Sequence, residues 1–186
     1  MEILSNNQMK LSVSCLTILL TFFMIFNTSK IEAQALKTVK HVDIKSYAGK
    51  WFEIAAYPQR FQKGCHCTTA EYTMTDKGYL IVENKCNKDS ITGKLVSIKG
   101  KAFVEKNADN AKLKVQFFWP FRANYWIIDL ANDYSYAVVS NPNRKYLWIL
   151  CRAPKMNAQT YQNILNRLAE KGFDLAKLVT TPQVLN

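Results

Sequence analysis

Four cysteines lie beyond residue 35: Cys65, Cys67, Cys86 and Cys151. They carry the most reactive side chains of the chain, and three chemistries are open to them. The first is metal ligation. Cys65-His66-Cys67 offers two thiolates and an imidazole, donors suited to zinc or haem iron. Adjacent positions on one strand cannot all face the same way, and no second cluster in the sequence completes a four-ligand site. No metal and no cofactor are expected. The second is nucleophilic catalysis, which needs a base beside the thiol. His41 and His66 are the histidines of the chain, and nothing in the sequence sets either beside Cys86. No catalytic residue is expected. The third is oxidation, and four cysteines allow three complete pairings. Asp76-Lys77-Gly78 reads as a hairpin turn, with Cys67 and Cys86 each about ten residues from it. Cys67–Cys86 is the expected disulfide, Cys65–Cys86 the alternative, and Cys151 a buried free thiol.

A different chemistry is offered by Gly49-Lys50-Trp51 and Arg152. A Gly-x-Trp opening the first strand and an arginine closing the last allow guanidinium and indole to stack at one end of a closed barrel. That contact depends on the elements between them. Residues 51–57 read as a strand and 58–64 as a loop. Strands follow at 69–75, 79–86 and 95–104. In 112–119, Leu113, Val115, Phe117 and Trp119 fall on one face, Lys112, Lys114 and Gln116 on the other, and Pro120 ends the run. Residues 125–130, 136–140 and 146–152 complete eight strands at short spacing, which implies an antiparallel up-and-down barrel or a sandwich. The period then changes. Asn157 is suited to an N-cap, Tyr161, Ile164, Leu165 and Leu168 recur at helical spacing, and Gly172 stands where the helix should stop. Residues 173–179 are read as a short additional edge strand.

Residues 11–26 form an uncharged apolar run after Lys10, and Ala33-Gln34-Ala35 supplies a small-x-small site. Residues 1–35 are therefore read as a secretory signal peptide, with Met9 an alternative start. The run is short of the roughly 20 residues that a membrane-spanning helix needs. Residues 36–186 are read as one domain of an exported protein. The formal net charge of +11 comes from scattered lysines and arginines. It suits a solvated surface, or peripheral contact with an anionic membrane. No nucleic-acid motif is present.

Together, Ser46-Tyr47-Ala48-Gly49-Lys50-Trp51-Phe52-Glu53-Ile54-Ala55 and Asn141-Pro142-Asn143-Arg144-Lys145-Tyr146-Leu147-Trp148-Ile149-Leu150-Cys151-Arg152 resemble the lipocalin family. The likeness is greatest to its bacterial outer-membrane and apolipoprotein D-like branch, and it extends over roughly residues 43–180. The resemblance implies an all-β fold: an eight-stranded antiparallel up-and-down barrel, closed at one end, with one C-terminal α-helix. It implies structural roles for Gly49, Trp51 and Arg152. It implies that Tyr72, Asn84, Phe117 and Trp148 line the calyx, with Arg60, Phe61 and Trp119 near its mouth. Arg60 or Lys63 could then meet a carboxylate or phosphate at the rim.

The function implied is non-catalytic binding, storage or transport of a small hydrophobic ligand, a fatty acid or lysophospholipid first. The location implied is periplasmic or secreted, with outer-membrane association. The alternatives are a lipid- or isoprenoid-modifying enzyme using Cys86, or a haem or metal carrier using His66. The chain departs from the family in two places. Leu130-Ala131-Asn132-Asp133-Tyr134-Ser135-Tyr136-Ala137 replaces the usual Thr-Asp-Tyr signature. The animal members join a cysteine matching Cys67 to one beyond the helix, and no cysteine follows Cys151.

Overall fold

The computed structural model describes residues 35–106 and 108–184. The signal-peptide reading falls outside the described residues. Eight strands close into an antiparallel barrel: β1 (Gly49–Ala56), β2 (Cys65–Met74), β3 (Leu80–Lys88), β4 (Leu95–Val104), β5 (Lys112–Gln116), β6 (Ala123–Leu130), β7 (Tyr136–Ser140) and β8 (Leu147–Cys151). Each pairs with its sequence neighbour, and β1 closes the barrel by pairing with both β2 and β8. A ninth strand, β9 (Val179–Thr180), adds to the far half of β1. It begins where the expected edge strand ends.

Closure leaves two ends. The β1–β2, β3–β4, β5–β6 and β7–β8 loops surround one of them. The opposite end is crossed by the N-terminal segment and the short helix α1 (Ile44–Tyr47), which Asp43 caps. The Val39 amide donates to the Ile127 carbonyl at 3.0 Å and the Val42 amide to the Asp109 carbonyl at 2.9 Å. These bonds hold the plug in place.

The apolar residues divide by strand parity into two cores. Tyr72, Val82, Ala102, Leu113, Val115, Val139 and Leu150 point inward with Trp51. Ala55, Ile128, Val138, Leu147 and Ile149 point outward and are covered by Ile164 and Leu168 of α2 (Ala158–Glu170). This explains why β7 and β8 lack polar alternation: both their faces are covered. Asn157 caps α2 by accepting from the amides of Gln159 and Thr160, and Gly172 ends it at φ +76°.

The expected Cys67–Cys86 bridge is not formed. Cys65 pairs with Cys86 instead, their Cα atoms 5.4 Å apart. The cause is a bulge in β2: His66 lies opposite Asn87, but Thr69 lies opposite Lys85, so two residues oppose the one at Cys86. Cys67 takes a left-handed φ of +53° within that bulge, so counting from the turn no longer predicts its direction. Cys67 and Cys151 are free, and Cys151 is buried.

The bulge also parts β1 from β2, and the C-terminal tail fills the seam. The Thr181 amide donates to the Ile54 carbonyl at 2.9 Å and the Cys67 amide to the Pro182 carbonyl at 2.8 Å. Gln183 Nε2 donates to the carbonyls of Glu53 and Thr68 at 2.8 and 3.0 Å. Hydrogen bonds thus tie the tail to Cys67.

Candidate ligand-binding calyx

At the closed end the Arg152 guanidinium lies 3.6 Å from the centroid of the Trp51 ring. Its Nη2 donates to the carbonyls of Ser46, Tyr47 and Ala48 at 2.7, 3.1 and 2.9 Å, and its Nη1 to Lys50 at 2.8 Å. Four carbonyl oxygens, three from the end of α1 and one from the start of β1, are thereby bound by one planar fork of donors. Burial lowers the pKa of this guanidinium. Trp51 donates its indole N–H to the Tyr47 carbonyl at 2.9 Å. Gly49 sits at φ +92°, and a Cβ there would touch Arg152 Nη1 at 3.4 Å. Both facts suit glycine at the start of β1.

Three tyrosines form the floor. The hydroxyls of Tyr47 and Tyr125 are 2.6 Å apart. Tyr72 stacks obliquely on Tyr47 and edge-on to Tyr125, with centroids 5.6 and 6.0 Å away. Burial raises the pKa of all three phenols, so each keeps its proton and stays able to donate.

Above the floor the wall is apolar and aromatic. Asn84 lies between Ala70 of β2 and Ile98 of β4. Its Oδ1 is buried without a hydrogen-bond partner. An acceptor in that state costs about 1–3 kcal/mol unless a ligand or water meets it. Val96 and Ile98 share the parity of Cys86 and Asn84. Each is nevertheless 38% exposed. Gly100 follows on the same face. A Cβ at Gly100 would fall 2.6 Å from the Gln116 carbonyl and 2.8 Å from the Phe117 ring. The absence of a side chain at Gly100 is what lets Phe117 pack against the inner core.

Trp148 faces the lumen and is half-buried. Tyr146 stacks on it at 5.8 Å with 15° between planes, and Phe61 meets Tyr146 at 6.4 Å. An aromatic ladder therefore runs from the β1–β2 loop into the calyx. Trp148 donates its indole N–H to Gln62 Oε1 at 3.2 Å, and Gln62 Nε2 donates to Glu53 Oε2 at 2.8 Å. Glu53 Oε1 accepts from the Thr181 hydroxyl at 2.6 Å. Burial raises the Glu53 pKa, and its two neutral donors offset only part of that.

Tyr72, Asn84, Phe117 and Trp148 thus come together around one lumen. Arg60 and Phe61 are exposed on the β1–β2 loop. Trp119 does not continue the inward face of β5, because the strand ends at Gln116 and the chain turns, the Phe121 amide donating to the Phe118 carbonyl at 2.9 Å. Cys86 is engaged with Cys65, which removes one thiolate from the Cys65-His66-Cys67 donor set. Tyr47, Tyr125, Gly100, Gln62 and Glu53 were not anticipated. Tyr125 could have been found from its place on a strand. Gln62, in a loop, gave no signal. Two clefts of about 240 and 170 Å³ lie outside the lumen, one beside Ile54 and Tyr161, the other beside Ile44 and Tyr79. The three floor tyrosines, Asn84 and Trp148 line neither of them.

Residues 42–183 match the family described as lipocalin-like domain. Temperature-induced lipocalin-1 of Arabidopsis thaliana is 36% identical over 161 residues, covering 82% of this chain and 85% of the plant protein. Outer membrane lipoprotein Blc of Escherichia coli K12 is 36% identical over 163 residues, covering 87% and 91%. Apolipoprotein D of Mus musculus is 36% identical over 154 residues, covering 77% and 78%. Among solved structures, insecticyanin from the tobacco hornworm Manduca sexta superposes with a TM-score of 0.65 at 23% identity, over 80% of this chain and 85% of that one. That likeness is one of fold. The chain belongs to the lipocalin family, whose members bind small hydrophobic ligands.

Proposed function

We propose that this protein binds, stores or transports a fatty acid or lysophospholipid in its calyx, without catalysis. The observation that carries the reading is the unpaired Asn84 Oδ1 in an apolar, aromatic lumen that opens through the Phe61–Tyr146–Trp148 ladder. Each methylene of an acyl chain moved from water into such a lumen gains about 0.8 kcal/mol. Arg60 and Lys63 stand on the β1–β2 loop, where the head of such a ligand would emerge. A non-catalytic role is supported by Cys86, whose sulfur is held in a disulfide and so lacks the free thiol a nucleophile needs. Export is supported by that disulfide, which persists in oxidising compartments. It is supported too by similarity to an outer membrane lipoprotein. The overall positive charge supports an anionic membrane as the source of the ligand.

Native mass spectrometry of the purified protein, followed by extraction and identification of bound organic molecules, tests the reading. A bound fatty acid or lysophospholipid is expected. An empty protein that also takes up no fluorescent fatty acid would refute it. Trp148→Ala should weaken fatty-acid binding by about tenfold, the loss of one aromatic wall contact, while the fold persists. Equal affinity in both proteins would remove Trp148 from the lining.

A further inference from the structure

The β5–β6 loop presents three large apolar side chains to solvent within four residues. Phe118 is 70% exposed, Trp119 87% and Phe121 77%. Single exposed apolar residues are ordinary, but a cluster at one loop tip marks a surface made to be covered. Phe61, 68% exposed, lies on another loop of the same end, and Ile91 on a third.

Charge follows the same polarity. The four mouth loops carry Arg60, Lys63, Lys94, Arg122 and Lys145 against one acid, Asp89, while Arg144 of the same end is held by the Lys171 carbonyl at 2.8 Å. The three loops at the closed end carry Asp76, Glu105, Asp109 and Asp133 against Lys77 and Lys106. The N-terminal segment and α1 add Lys37, Lys40, Asp43 and Lys45 to the closed end, which is thus balanced in charge, whereas the mouth loops around the exposed aromatics are basic. Arg122 lies beside the aromatic tip, its guanidinium 4.1 Å from the Phe103 ring centroid.

We propose that the mouth docks face-down on an anionic lipid bilayer, with Phe118, Trp119 and Phe121 inserted at the headgroup boundary and the surrounding lysines and arginines on the lipid phosphates. Tryptophan and phenylalanine suit that boundary, and basic side chains suit an anionic leaflet. A second copy of the chain is the other apolar cover available. A twofold through the mouth would set each ring of cations against its own image, which opposes association. A bilayer satisfies both the aromatics and the charge. Docking in this pose opens the calyx directly onto the membrane, so an acyl chain passes between lipid and lumen without crossing water. This inference rests on the lipid-binding reading and identifies the surface that supplies the ligand.

The test is co-sedimentation of the purified protein with vesicles of phosphatidylcholine alone, or of an equal mixture with phosphatidylglycerol. Fluorescent fatty-acid uptake is measured in parallel without vesicles. The mixed vesicles should bind at least about tenfold more tightly, with binding lost in molar salt. Brominated lipid should quench the emission contributed by Trp119, and Trp119→Phe should remove that part of the quenching. The double variant Phe118→Ser/Phe121→Ser should lose vesicle binding by at least about tenfold yet take up fatty acid in solution as the unaltered protein does. That uptake also shows that the variant is folded. Fatty-acid uptake with no vesicle binding would overturn docking and leave the carrier reading standing. Vesicle binding with no uptake would overturn the carrier reading instead. Equal binding to both vesicle types would overturn the choice of an anionic surface. A dimer that the double variant dissolves would assign the aromatic tip to a second copy.

Discussion

Trp148 in the calyx wall and the buried carboxylate of Glu53 share one intermediary. The Gln62 side chain accepts from the Trp148 indole at 3.2 Å and donates to Glu53 at 2.8 Å. Gln62 sits in a single 3₁₀ turn (Arg60–Gln62) of the β1–β2 loop, so the mouth loop is pinned to the lumen and to the seam of the barrel at once. Replacing Gln62 by leucine leaves the indole N–H and one carboxylate oxygen without their partners. We expect a loss of about 1–3 kcal/mol in stability, read by chemical denaturation, and weaker fatty-acid binding as Trp148 loses its anchor.

Glu53 should make stability depend on pH with a definite sign. Burial raises its folded pKa above the unfolded value of 4.5. The unfolded chain therefore releases this proton first. Its contribution is fully present below pH 4.5 and is lost as pH rises through the folded value. Denaturation midpoints of the protein and of Glu53→Gln, measured from acid to neutral pH, should diverge upward in favour of the variant. A constant difference across that range would show that folding leaves the Glu53 pKa at its unfolded value.

Gly100 should tolerate no side chain. A Cβ there meets a backbone carbonyl at 2.6 Å and the Phe117 ring at 2.8 Å. Gly100→Ala must shift one or both, at a cost of about 1–3 kcal/mol. Because Phe117 is displaced, fatty-acid affinity should change as well. A variant with unaltered stability and affinity would contradict the packing described.

The disulfide assignment separates cleanly by mutation. Cys65 and Cys86 are 21 residues apart, and closing such a loop stabilises by about 3 kcal/mol. Cys65→Ser should lose roughly that amount, whereas Cys67→Ser should be close to neutral. Peptide mapping under non-reducing conditions should recover Cys65 joined to Cys86.

Much of the architecture follows from local pattern. Alternation in Leu113, Val115 and Phe117 against Lys112, Lys114 and Gln116 defines two faces of a strand, because side chains of an extended chain repeat every two residues. The helix is legible for the same kind of reason: Asn157 at its start, Ile164 and Leu168 on its buried stripe, and Gly172 at its end answer to neighbours within a turn or two. Gly49, Trp51 and Arg152 were legible as a set because their residue types suit one contact.

What the tertiary structure alone decided was register and closure. The bulge between His66 and Thr69 redirected Cys67 and gave Cys86 to Cys65, and no local propensity marks a single extra residue in a strand. Trp119 continued the inward alternation in sequence but left it in space, since the strand ended three residues earlier. Gln62 meets Trp148 across 86 residues of sequence, and Gln183 meets Thr68 across 115. Such contacts exist only once the barrel has closed, because closure brings β1 between β2 and β8 and draws the tail into the seam between them.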